Sequence, residues 1–518
     1  MPQSHILSPA LSRLPELADR EDREAPGDAL PAEDSLLSLL GEIEQTPPRP
    51  AAYLHTLERL RKPILLAQEN LAKRFADAPL PLGDAENAAL IRAQDLWAAV
   101  ARAYRRLLGE VIGGKHPELE ASLALLCQRA LACTGELMVA QYLARREIEG
   151  AYWRALHEAY AVAESHGVTA SAVADVRHDA TPASAYAEVL LMELANPYGL
   201  STQEFVRVRR WTGHWADKAQ LVRDAPPQGG YAVDMAGPRG PAWTSAGTST
   251  RSSRFLDLTE VSSSVKKRLR RLEEGVDPGE LGLGHDCTPS VAENLLRTLG
   301  RAWLEPPAAA RAFPRVGVTS PTLLASGFSS IHRALSENSL GAAATRASYS
   351  YGEADRLHTL QRAYEAGANW ESRVPGLENW ERFEESPKEF RLRRREPGAR
   401  LAFRQLVALR PRGARQFVLC EVRSLSEDAD HTLTIGARPL PGIAKTCAVK
   451  AMDPGTQPAQ ALMLPGGQGL PAAFLLPAGW FRKGREIEVR AGGHVSRVKL
   501  SALLDHGFDY ERVQTASP

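Results

Sequence analysis

Near residue 370 the apolar side chains of this 518-residue chain change their spacing, from steps of three and four to alternation. Residues three and four apart share a helix face, while residues two apart share a strand face. A chain that carries the two periods in separate blocks must build a helical part and a β part. The helical block runs from 35 to about 218. In it Leu96, Val100, Tyr104, Leu107 and Val111 form one stripe, with Asp84 as the expected N-cap. A second segment opens on Pro117 and carries Leu119, Leu123, Leu126, Leu131, Leu137 and Tyr142. Trp153, Leu156, Tyr160 and Ala163 make a third, ended by Gly167. Asn196-Pro197 breaks the pattern, and Ser201 with Glu204 predicts a capping box ahead of Phe205, Val208, Trp211 and Trp215. Long helices joined by short loops predict antiparallel neighbours in a helical array.

Residues 1–34, rich in Pro, Asp, Glu and Arg, read as a flexible leader, and 35–230 as the helical domain. Residues 231–336 form a mixed region. Two β-like runs at 231–235 and 254–258 allow a hairpin around a Gly/Pro/Ser/Thr-rich stretch, and helix resumes from 259 to 336. Residues 337–374 read as a linker. From 375 to 518, closely spaced runs at 401–410, 416–425, 431–438, 446–451, 460–464, 485–490 and 495–500 predict a small antiparallel barrel, with a short helix at 501–505. The fold class is α+β multidomain: an N-terminal all-α helical array followed by a C-terminal small antiparallel β-barrel.

The 63 basic and 62 acidic side chains leave a net charge of +1, unlike the basic excess of nucleic-acid binders, so neither DNA nor RNA is an expected partner. Five cysteines without a CxxC pair indicate neither a disulfide framework nor a zinc ribbon. The start lacks a basic segment followed by a long apolar run, and no uninterrupted apolar stretch reaches the ~18 residues of a membrane span. The expected address is cytoplasmic. There is no GxxxxGK[ST], HExxH, GxSxG or GxGxxG. No catalytic residue, metal site or cofactor is therefore expected. The cluster His285, Cys287 and Asp286 between them reads as structural, because adjacent side chains diverge. The run Lys266, Lys267, Arg268, Arg270 and Arg271 reads as the solvated face of a helix.

Arg391, Arg393, Arg394 and Arg395 follow closely on Ser386. Alternation puts Arg391, Arg393 and Arg395 on one face. Such a stripe suits a bis-phosphate ligand, since guanidinium groups hold phosphate oxygens and stack on bases. It equally suits an edge strand protected by charge. Both readings stay open at this point.

The segments ENWERFEESPKEFRLRR (378–394), RQLVALRP (404–411), FVLCEVRSL (417–425), LTIGARPLPG (433–442) and AAFLLPAGWFRKGREIEV (472–489) resemble the PilZ-type barrels of bacterial cyclic di-GMP effectors. So do helical-region fragments at 280–307 and 194–200. The resemblance implies a non-enzymatic cyclic di-GMP signalling effector, or a degenerate PilZ adaptor acting on an unidentified protein partner. The alternative is a helical scaffold or chaperone-like interaction protein with no nucleotide ligand. Glu384, Ser386 and Glu389 occupy the (D/N)xSxxG positions, where only the serine matches. Arg356, Arg362 and Arg373 stand in the RxxxR region, spaced six and eleven apart. The ligand residues so implied are Arg362, Arg373, Glu384, Ser386, Glu389, Arg391, Arg393 and Arg395. The departures from the motif set the expected affinity low.

Overall fold

A computed structural model describes residues 29–245, 249–306, 319–340, 376–386, 389–414, 416–453, 455–466 and 471–516. It divides into two compact units, Met1–Ala78 with Leu82–Arg311, and Pro79–Pro81 with Ala312–Pro518.

The first unit carries α1 (Ala29–Gln45), α2 (Pro50–Ala72), α3 (Asp84–Ile112), α4 (Leu123–Leu143), α5 (Gly150–Ser165), α6 (Pro182–Leu194), α7 (Thr202–Trp215), α8 (Thr259–Glu273) and α9 (Pro289–Leu304). Helix α1 begins inside the expected leader, whose residues 1–28 lie outside the described residues. The stripe on α3 is buried as its spacing requires, together with Trp97. Its N-cap is Gly83 and not Asp84: the Glu86 carboxylate accepts the Gly83 N–H, which starts the helix one residue earlier. At α7 the capping box is present, with the Glu204 carboxylate accepting from Ser201 N at 2.8 Å and Ser201 Oγ from Glu204 N at 3.3 Å.

Helix α4 is buried on nearly every side, which suits a segment hydrophobic all round. Pro117–Leu143 is long and apolar enough to cross a membrane, and 78% of its most apolar window is buried inside the unit, as in a core helix. The core also encloses charge. Arg129 holds Glu58 at 2.7 Å, Asp175 accepts from Arg61 at 2.6 Å and from Gln128 at 2.9 Å, and Tyr104 donates to Glu58 at 2.6 Å. Burial alone would raise the Asp175 carboxyl, but Arg61 and Arg129 hold it below the usual range.

In place of a hairpin, 220–257 forms a four-stranded sheet in the order β1 (Gln220–Val222), β4 (Ser253–Asp257), β2 (Gly230–Asp234) and β3 (Ala242–Thr244). The His285–Cys287 turn is structural: Arg207 and Arg210 both bind Asp286, at 3.3 and 2.8 Å. No metal-ligand cluster occurs among the described residues.

The second unit contains two closed barrels where a single one was expected. The first has the order β10-β7-β6-β5-β8-β9: β5 (Ser320–Ser326), β6 (Glu378–Ser386), β7 (Glu389–Arg394), β8 (Leu406–Pro411), β9 (Val418–Glu427) and β10 (Leu433–Pro439). The second has the order β11-β12-β13-β16-β15-β14: β11 (Lys445–Ala451), β12 (Ala459–Leu464), β13 (Ala473–Pro477), β14 (Glu486–Ala491), β15 (His494–His506) and β16 (Tyr510–Ala516). Strand β5 lies in the stretch expected to be helical. It fills the barrel between β6 and β8, and Gly327, at φ +79°, ends it before α10 (Phe328–Leu340). That helix packs Ile331, Ala334 and Leu335 against apolar residues of both barrels, among them Leu406, Leu462 and Leu475. It also covers the first residues of the expected linker, and 341–375 lie outside the described residues. The helix expected at 501–505 is instead part of β15, which continues through two register shifts.

Candidate functional site

Among the implied ligand residues, four converge on the outer face of the first barrel. Strand β7 alternates strictly, with Phe390, Leu392 and Arg394 buried and Glu389, Arg391 and Arg393 half-buried on the other side. Side chains directly opposite one another in antiparallel strands share a face. One row across the sheet is therefore Glu384, Arg391, Gly436 and Ser424, and the next is Glu381, Arg393, Thr434 and Ser426. Between the rows the register of β6 slips at Phe383, the extra residue of a bulge. Its ring receives both guanidinium groups, those of Arg391 and Arg393 each 5.6 Å from the ring centroid.

The arginines of this face are engaged by carboxylates. Arg393 makes a two-pronged pair with Glu381, at 2.6 and 2.9 Å. The guanidinium holds the Glu381 carboxyl below its ordinary range. Arg391 lies 3.5 Å from Glu384. Glu389 and Ser424 close over Gly436, where an added Cβ would collide with both side chains. A glycine in mid-strand lets polar groups approach the backbone, and here Glu389 and Ser424 fill the recess it leaves. The face thus offers two guanidinium groups, an aromatic plate and a recess occupied by Glu389 and Ser424. An anionic, planar ligand could use all of these after displacing the carboxylates.

The other implied residues fall elsewhere. Arg394 points into the barrel, 4.9 Å from the Trp380 ring centroid and paired with Glu378. Arg395 follows the end of β7 and is exposed. Ser386 pairs with Glu389 across the end of the β6–β7 hairpin. Arg356, Arg362 and Arg373 lie outside the described residues. The residues not anticipated are Glu381, Phe383, Ser424, Thr434 and Gly436. Gly436 carried the one available signal, as a glycine inside an otherwise alternating run. The basic run lies on helix α8. Arg268 turns back over the Trp215 ring at 5.3 Å and donates to the Leu281 carbonyl at 3.0 Å, while Lys266, Lys267 and Arg270 are exposed.

Two segments of the chain match models of one protein family. Residues 22–227 match the N-terminal domain of the cyclic-di-GMP receptor FimW, and residues 446–516 match the FimW C-terminal β-barrel domain. Together they take in more than half of the chain. The chain belongs to the FimW family. FimW is a family of cyclic-di-GMP receptors, in agreement with the effector reading and with the PilZ-type resemblance. The FimW N-terminal segment covers α1–α7, and the C-terminal one covers the second barrel. The first barrel, with its arginine face, lies between the matched segments. No curated protein and no solved structure matches the chain.

Proposed function

We propose that this FimW-family chain is a non-enzymatic cyclic di-GMP effector whose ligand meets the outer face of the first barrel. The observation that supports this most is Phe383 bracketed by Arg391 and Arg393 beside the Gly436 recess. Guanidinium groups pair with phosphate oxygens, and a base can stack on the same planar groups. Displacement of Glu381 and Glu384 from their arginines opposes binding, and the motif positions at Glu384 and Glu389 carry charge of the wrong sign. Each lost charged contact costs about 1.5–3 kcal/mol, so two such losses weaken affinity by roughly a hundredfold or more. The reading places the protein in the cytoplasm, where five buried, unpaired cysteines stay reduced, and assigns its output to contact with a protein partner.

Calorimetric titration of cyclic di-GMP into the full chain tests this. The expected result is saturable heat with Kd above about 1 µM, reduced at least tenfold in affinity by Arg393→Ala. Absence of heat with the wild-type chain at millimolar ligand would favour the ligand-free adaptor.

A further inference from the structure

The two barrels meet at a polar joint that the ligand face does not involve. Arg404, just ahead of β8, adopts φ +62°, a left-handed conformation unfavourable for a residue with a side chain. There its guanidinium spans the joint, binding Glu421 on β9 at 3.0 Å and Asp505 on β15 at 2.5 Å. Its carbonyl accepts from Phe508 N, in the β15–β16 turn, at 3.0 Å. Buried Tyr510, on β16, donates its hydroxyl to Glu421 at 2.8 Å, and Arg423 holds the other Glu421 oxygen at 3.2 Å. Gly507 fits only because it has no Cβ, since one would strike the Arg404 carbonyl and the Tyr510 ring.

Asp509 stands out in this joint. One carboxylate oxygen accepts the Leu406 amide of the first barrel at 3.0 Å, while Oδ2 is buried without a partner. The ionisable group that acts on it is Glu421, itself held by Arg404, Arg423 and Tyr510, while Arg404 also binds Asp505. Arg404 is already divided between Glu421 and Asp505, and Glu421 repels a charge on Asp509. An ionised carboxylate with one desolvated oxygen and no cation of its own is a costly arrangement, which a proton on Oδ2 relieves.

We propose that Asp509 makes the joint a proton-sensitive clamp, which seats the first barrel on the β15–β16 hairpin more firmly when Asp509 is protonated. Burial, with the nearby Glu421, pushes its carboxyl up to about 6. A group whose pKa is raised in the closed state favours that state as pH falls, with the change beginning near that pKa. The effect is complete once pH drops below the ordinary carboxyl value. The inference does not depend on the ligand reading, because the joint is distinct from the face around Phe383.

Hydrogen exchange of the Leu406 and Phe508 amides in the full chain, corrected for intrinsic exchange, reads the clamp directly. Between pH 7.5 and 5.5 the wild-type protection of these amides should rise about fourfold, as proton linkage requires for this shift. Interior amides of each barrel, such as those of Ile435 and Val489, should not follow. In Asp509→Asn, where no proton can be gained, the dependence should vanish. A flat wild-type profile overturns the proposal whatever the variant does, and so does an unchanged slope in Asp509→Asn.

Discussion

The alternation of 389–394 was legible because a strand's period is local: Arg391 and Arg393 share a face by the geometry of the chain alone. What they touch was not legible. Glu381, Ser424 and Gly436 reach them across strand pairs whose register no short window contains. The same holds for Arg394, which resembles its neighbours in sequence yet sits against Trp380 inside the barrel. At this scale the charge balance gives two predictions. Glu389→Gly removes a carboxylate from the Gly436 recess and should improve cyclic di-GMP affinity, by several-fold in a calorimetric titration. Asp175→Ala strands Arg61 in the helical core, while Arg129 keeps Glu58. Breaking a buried pair in this way costs about 3–5 kcal/mol, measurable as a lowered urea midpoint. The contribution of Asp175 carries a pH signature, since its carboxyl is depressed in the folded state. The stabilisation is present above the ordinary carboxyl value and is lost as pH falls through the folded one.

Elements were read well where one face is buried and poorly where pairing is irregular. The capping box of α7 and the stripe of α3 follow from spacings of three and four residues. Strand β15 was cut short because two register shifts interrupt its alternation, leaving Leu503 and Leu504 adjacent and exposed as no regular strand would show them. Strand β5, seven residues long with four of them buried, has too little polar alternation to be told from a helix segment. Two predictions belong here. In β10, Gly436→Ala should close the recess against Glu389 and Ser424. Gly to Ala in a strand interior is worth only about 0.5–1 kcal/mol in backbone terms, so thermal stability should hold while ligand affinity falls; a large loss of stability with affinity intact would mean that the recess is structural only. In α8, neutralising Lys266, Lys267 and Arg270 together should leave ligand affinity at low salt unchanged, as expected of solvated side chains.

At the scale of the whole molecule, the switch from one hydrophobic period to the other separates a helical part from a β part, but it falls after β5, which already belongs to the first barrel. The number of barrels was beyond it. Closure depends on which strand ends meet, and β5 joins the first barrel from a position ahead of α10, far in sequence from β6 and β8. The proposed meeting place of cyclic di-GMP is the outer face of the first barrel, a segment between the two FimW-matched regions. The most direct test is the hydrogen-exchange footprint of cyclic di-GMP on the full chain at saturating ligand. Added protection should concentrate in β6, β7 and β10 around Phe383, Arg391 and Gly436, and should be lost in Arg391→Ala/Arg393→Ala. Ligand-induced protection confined to α1–α7 or to the second barrel, with β6, β7 and β10 unchanged, would contradict it.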